Sequence, residues 1–86
     1  MENKFFELKI IRANGNESVM VEWVDVQSPN GNFVVAYNSL PIISLLKDRG
    51  KFKYKEKGII EEFDTYGGIF KVENNKAIVI LTTDFI

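Results

Sequence analysis

The 86-residue chain contains no cysteine and no histidine. Without thiols there is neither a disulfide framework nor cysteine chemistry, and without imidazole the commonest general base and the usual zinc ligand sets are gone. Charge of neither sign dominates: 11 Lys and Arg stand against 12 Asp and Glu, a formal net charge of -1. That balance argues against a dedicated nucleic-acid or anionic-membrane binder. No apolar run approaches the ~18 residues that span a bilayer. Met1-Glu2-Asn3-Lys4 also lacks the charged, apolar, small order of a signal peptide. A soluble, cytosolic domain with no cofactor and no metal is expected.

What the chain does have is aromatic bulk. Seven Phe, three Tyr and Trp23 make up 13% of the residues, and each buried ring removes roughly 150–250 Å² from water, enough to fill a real core. Residues 1–86 read as one domain. A chain of this length buries about 60 to 65% of its unfolded surface, with a stability of roughly 4 to 13 kcal/mol.

The pattern is that of short strands. The organising stretch is Asp64 to Ile80, in which Gly67-Gly68 precedes an alternating run, Asn74-Asn75 follows, and a Val- and Ile-rich run closes the unit: strand, Gly-Gly, strand, tight turn, strand. A glycine pair inside a strand suggests that another backbone crosses closely or that the strand bends. A partner approaching the pair is the functional alternative to that structural role.

Phe6, Leu8 and Ile10 alternate with Glu7 and Lys9 as a half-buried first strand, and Asn14-Gly15-Asn16 supplies turn residues. Val19, Val21 and Trp23 share one parity, Val24 and Val26 the other, so a bulge or change of sheet is expected near Trp23. Gln27-Ser28-Pro29-Asn30-Gly31-Asn32 is the strongest turn signal, followed by a buried strand from Phe33 to Tyr37. Ser39 to Leu46 reads either as a short helix capped by Ser39 or as an extended crossing, and the extended reading is favoured because Pro41 and the Ile42-Ile43 pair suit it.

Lys51, Lys53 and Lys55 alternate with Phe52 and Tyr54. That reads as an edge or outer strand whose lysines discourage aggregation; a single-stranded nucleic-acid surface would need the aromatics beside the lysines rather than opposite them. Glu56-Lys57-Gly58 turns the chain into Ile59 to Tyr66, and Thr82 to Ile86 ends the last strand. About nine to ten short strands with frequent turns and no long helix describe an all-β, two-sheet sandwich. Glu61 and Glu62 are strand neighbours on opposite faces and cannot act as a catalytic pair, so an enzyme is not expected.

Four motifs in order now bear on function: Ser28-Pro29-Asn30-Gly31-Asn32-Phe33-Val34-Val35, Ser39-Leu40-Pro41-Ile42-Ile43-Ser44-Leu45-Leu46, Gly67-Gly68-Ile69-Phe70-Lys71-Val72, and Asn75-Lys76-Ala77-Ile78-Val79-Ile80. From about Phe5 to Leu81 the chain resembles the N-terminal β-sandwich of the F-type ATP synthase epsilon subunit, whose mitochondrial counterpart is called delta. Gly31, Pro41, Gly67 and Gly68 match that family. Asn32 stands where the family often has an acid, Val34 where it has Gly, Tyr37-Asn38 where it has Pro-Gly, and Ser39-Leu40 where it has His-Ala.

The resemblance implies a non-catalytic rotor subunit at the foot of the central stalk, peripheral on the cytoplasmic side of the bacterial inner membrane and monomeric on its own. It couples the c-ring to the gamma subunit. By the same likeness Asn30, Gly31 and Asn32 would face the c-ring, and Ser39, Leu40, Pro41 and Ile42 would lie near gamma and the ring, while Gly67 and Gly68 serve the fold. Plain core packing is the alternative for Leu40, Ile42 and Ile43. Resemblance to short members implies no C-terminal autoinhibition and no nucleotide binding. A free-standing β-sandwich adaptor, binding by an edge strand or by an apolar patch around Leu40 to Leu46, is the competing function.

Overall fold

The computed structural model describes residues 4–82. Met1–Asn3 and the closing Thr83–Ile86, read from the sequence as the end of the last strand, lie outside the described residues. Nine strands and no helix make up the described chain. The extended reading of residues 39–46 therefore holds.

The phase slip at Trp23 is where the chain changes sheets. β1 (Phe6–Arg12) and β2 (Gly15–Val21) form an antiparallel hairpin in one sheet, and β3 (Trp23–Ser28) starts the other. Glu22 lies between them, donating its N–H to the Lys55 carbonyl at 2.8 Å. Val21 and Val24 are both fully buried, which one unbroken strand in a two-layer sandwich would not allow, because residues three apart point to opposite faces and only one face of each sheet meets the core. The slip lets one continuous segment serve both layers.

β4 (Gly31–Ala36) returns alongside β3 after the Pro29-Asn30 corner. β5 (Ile42–Leu45) belongs to the first sheet, and β6 (Asp48–Glu56) and β7 (Ile59–Tyr66) complete the second. β8 (Gly68–Glu73) and β9 (Lys76–Leu81) return to the first. The orders are β2-β1-β9-β8-β5 and β4-β3-β6-β7. All pairings are antiparallel except β1 with β9, which run parallel from Glu7↔Lys76 to Ile11↔Ile80.

Two expectations need correcting. β4 is an edge strand, buried on one side only: Val35 is 1% exposed, whereas Val34 is 64% exposed. β6 is interior, flanked by β3 and β7. Its alternation is as read, with Phe52 and Tyr54 buried and the lysines outward. The lysines thus carry charge across a sheet face and do not guard an edge.

The inner faces meet in one core. Phe6, Leu8, Ile10, Phe70 and Val79 from the first sheet oppose Val24, Val26, Val35 and Phe52 from the second, all essentially inaccessible. Phe52 stacks on Phe63 at 5.1 Å between ring centroids and meets Phe70 at 6.0 Å, while Phe33 meets Phe70 at 6.2 Å. Each buried side chain of this size contributes about 1.5–3 kcal/mol, so the aromatic knot accounts for much of the cohesion between layers.

Two junctions fix the crossings. Between β5 and β6, Lys47 donates its N–H to the Gln27 carbonyl at 2.9 Å, Lys51 donates its N–H to Gln27 Oε1 at 2.8 Å, and the buried Thr65 hydroxyl donates to the Lys47 carbonyl at 2.8 Å. A Cβ on Gly50 would sit 2.9 Å from Lys47 Cβ, so that corner is closed to side chains. Between β7 and β8 lies the glycine pair. Gly67 and Gly68 take φ of +100° and +128°, and a Cβ on Gly68 would overlap the Ile80 carbonyl of β9. Gly67 has only Thr82 Oγ1 nearby, at 3.6 Å. The bend and the close strand approach fall on separate members of the pair.

Candidate partner-docking surface

The two outer faces of the sandwich differ in kind. On the four-stranded sheet, register places Asp25, Lys53 and Glu62 in one row and Gln27, Lys51 and Asp64 close to the next. Lys51 Nζ lies 2.7 Å from Asp64 and 3.7 Å from Glu62. The hydrogen bond and charge of Asp64 hold the Lys51 ammonium above its ordinary range. Exposed pairs of this sort stabilise little, and the same face also carries Val34 and Ile60 on its two edge strands, 64% and 57% exposed.

On the five-stranded sheet the outward residues of β1, β9, β8 and β5 fall into a different pattern. Ile11 pairs with Ile80, Ile80 with Ile69, and Ile69 with Leu45. Ile80, Ile69 and Leu45 are 45%, 43% and 62% exposed. With neighbouring strands about 4.8 Å apart, this apolar row crosses four strands over roughly 14 Å. The next row holds Lys9, Ile78, Lys71 and Ile43, the last 74% exposed. A contiguous exposed apolar surface rimmed by charge marks an interaction site in a soluble domain.

The row joins a segment with no charged side chain at all, Gln27 to Leu46. This segment contains every partner-contact residue anticipated from the family likeness. Asn30, Gly31 and Asn32 are exposed at the hairpin corner, where Ser28 Oγ donates to the Gly31 carbonyl at 2.6 Å. Leu40 is 80% exposed and Pro41 is exposed, while Ser39 and Ile42 are half-buried. Core packing thus does not describe Leu40 or Ile43; Ile42 alone of the three packs against the core.

The structure does not bring the two anticipated groups together. Asn30–Asn32 stand at the start of β4 and Ser39–Ile42 beyond its end, with six strand residues between the two ends, a span of about 20 Å at the usual rise. The Ser39 loop is held at its own end by a reciprocal amide pair. Asn75 Oδ1 accepts from the Asn38 N–H at 2.7 Å, and Asn75 Nδ2 donates to Asn38 Oδ1 at 3.1 Å. Asn38, Asn74 and Asn75 all have positive φ, of 64°, 54° and 60°, a conformation asparagine tolerates better than most residues.

Sequence reasoning centred on Leu40 to Leu46 and missed Ile69, Ile80 and Ile11. A signal was present: Ala77-Ile78-Val79-Ile80 is apolar at both parities, the mark of a strand covered on both faces. Among the described residues, no three acidic side chains come together so as to hold a metal ion. The depression between Lys71, Glu73, Asn74, Lys76 and Ile78 is open to solvent. Tyr54 is shifted, its phenol pushed up by burial and then by Glu17, Glu61 and Glu56, and it faces the core side of β6. No helix among the described residues is long and apolar enough to cross a membrane.

Comparison with known proteins agrees with the family likeness. The chain is similar to the ATP synthase epsilon chain of Desulfitobacterium hafniense, in strains DSM 10664 / DCB-2 and Y51, at 29% identity over 79 residues covering 91% of this chain. It spans 59% of the length of those curated relatives. No family model matches it. In three dimensions it superposes on a chain of the Euglena gracilis mitochondrial ATP synthase, an assembly of OSCP, F1 and c-ring, with a TM-score of 0.83 at 13% identity, covering 96% of this chain and 53% of that one. A chain of the Tetrahymena thermophila mitochondrial ATP synthase central stalk and c-ring gives 0.78 at 12% identity, covering 96% and 67%. At such identities the agreement is one of fold.

Proposed function

We propose that this β-sandwich is the epsilon-type component of an ATP synthase central stalk, a non-catalytic body that couples the c-ring to the gamma subunit. The observation that carries this reading is the apolar row that crosses four strands of the five-stranded sheet. The apolar face seats on gamma, continued by the loop at Ser39, Leu40, Pro41 and Ile42. The corner at Asn30, Gly31 and Asn32, about 20 Å away along β4, meets the loops of the c-ring through its amides and backbone groups. Torque passes between these ends through a close-packed core, which resists deformation. The chemistry of ATP synthesis belongs to other subunits, and the work takes place peripherally at the membrane.

Co-expression with the gamma subunit of the same organism's ATP synthase tests this directly. The chain is expected to co-purify with gamma, and Ile69→Lys, which places a charge in the middle of the apolar row, is expected to abolish the association while leaving the melting temperature within a few degrees. Cysteine at Ser39 should cross-link to gamma and cysteine at Asn32 to the c-ring. A well-folded chain that ignores gamma and instead captures a different protein through the same row would make it a free-standing adaptor.

A further inference from the structure

Edge strands are ordinarily blunted by charge, proline or bulges, because their free N–H and C=O groups template pairing with another chain. The sandwich has four edges. β2 carries Glu17, and β7 carries Glu61, Glu62 and Asp64. β4 and β5 carry no charge. On the outer face of β4, Val34 lies beside Asp25 of the charge ladder. β5 continues the apolar row of the other face through Leu45.

The backbone of β5 shows which groups are unused by the sheet. Leu46 donates its N–H to the Gly68 carbonyl at 3.0 Å, one step beyond the Leu45↔Ile69 pair. Bonded and non-bonded pairs alternate along an antiparallel ladder. Ser44↔Phe70 and Ile42↔Val72 are therefore the bonded pairs, and Ile43 and Leu45 direct their N–H and C=O groups away from β8. One of these, the Leu45 carbonyl, accepts from Ser44 Oγ at 2.9 Å. The same two residues hold the exposed side chains, at 74% and 62%. Ile43 and Leu45 thus present an open backbone edge and an apolar surface together.

We propose that β5 takes up an extended segment of its partner, which adds as a sixth strand to the five-stranded sheet. This rests on the reading that the same sheet docks on gamma, and it specifies the kind of gamma segment involved. With only four residues in β5, the added strand spans about 13 Å. Its side chains alternate: those beside Ile43 and Leu45 are apolar and prolong the row Ile11, Ile80, Ile69, Leu45, and none facing this charge-free edge is ionised. Backbone bonds supply the attachment and alternate side chains the selectivity, as in other strand-addition complexes.

The test compares Ile43→Pro with Ile43→Val in the full chain, each co-expressed with the gamma subunit of the same organism. Valine keeps the N–H and a similar volume. Proline removes an N–H that the β8 ladder does not use, and proline is tolerated at a solvent-facing edge position. Both variants are expected to fold, with valine binding within about threefold of wild type and proline weakened at least tenfold, the step a single lost anchoring contact produces. Because proline could also disturb β5 itself, hydrogen exchange on the wild-type complex is the second reading, with the Ile43 and Leu45 amides expected to gain protection. Proline binding as tightly as valine, or unprotected amides in a formed complex, overturns strand addition while leaving the docking of gamma intact. Failure of the wild-type chain to bind gamma overturns both.

Discussion

Gly68→Ala probes the closest approach in the molecule. The added Cβ would overlap the Ile80 carbonyl and lie 3.1 Å from Leu46 Cδ1. The first contact is of the new methyl with the Ile80 backbone, and neither has a rotamer that relieves it, so β8 and β9 must move apart where Gly68 pairs with Leu81. Two costs combine. Holding a residue with a Cβ at φ +128° costs about 1–3 kcal/mol, and forcing an extra methyl into a packed site adds about 1–3 kcal/mol. Gly67→Ala is the internal control, since φ is +100° there but nothing lies closer than 3.6 Å, leaving the conformational cost alone. For a chain of this size each 1 kcal/mol lowers the melting temperature by roughly 4–8 °C. Gly68→Ala should therefore melt at least about 8 °C below wild type and clearly below Gly67→Ala, read by far-ultraviolet circular dichroism and by urea midpoints. Equal losses in the two variants would refute the steric argument, and an unchanged melting temperature with lost gamma binding would return the pair to a role in partner contact.

Other expectations follow from the same geometry. Thr65→Val keeps the volume but removes the hydroxyl that donates to the Lys47 carbonyl, and losing one such hydrogen bond costs about 0.5–1.5 kcal/mol, measurable by urea unfolding; a neutral result would show that the β5–β6 junction does not depend on that bond. Phe52→Ala, at the centre of the ring cluster, should cost about 3–5 kcal/mol, read as a lowered urea midpoint; an unchanged midpoint would show that the rings do not tie the layers together. Stability should fall above about pH 10. Tyr54 is raised from 10.0 and Lys51 from 10.5, so each favours the folded state while protonated, and that contribution is lost as pH rises through the folded values. Urea midpoints across the alkaline range check this, with Tyr54→Phe expected to flatten the decline; a midpoint that climbs above pH 10 would contradict the sign.

The fold was legible because its signals were local. Alternation at Phe6-Leu8-Ile10 and Phe52-Tyr54, the slip at Trp23, and the Asn-Gly, Lys-Gly and Asn-Asn corners each name a strand or its end without reference to distant residues. Which strands lie at edges depends on pairing between segments far apart in sequence. For that reason β4 read as buried and β6 as outer. The candidate surface divides in the same way. Leu40 and Ile43 were visible as apolar residues in a loop, with burial undecided, because facing inward or outward is settled only once β5 is laid against β8. The row Ile11, Ile80, Ile69 and Leu45 draws one residue from each of four strands, and no window along the chain contains it. Gly50 escaped notice for a related reason, since the crowding that requires it comes from Lys47 across the bend and from the distant Gln27 and Thr65.

The parallel pairing of β1 with β9 has a consequence for how the protein is made. Glu7 and its neighbours have no partner on that side until Lys76 to Ile80 have been synthesised, so one flank of β1 waits for a segment about seventy residues further along the chain. At about 5–20 residues per second, the hairpins form during translation while the layer between them stays open for several seconds. Long-range pairing of this kind is slow, and the nascent chain passes through that interval with Phe6, Leu8 and Ile10 uncovered.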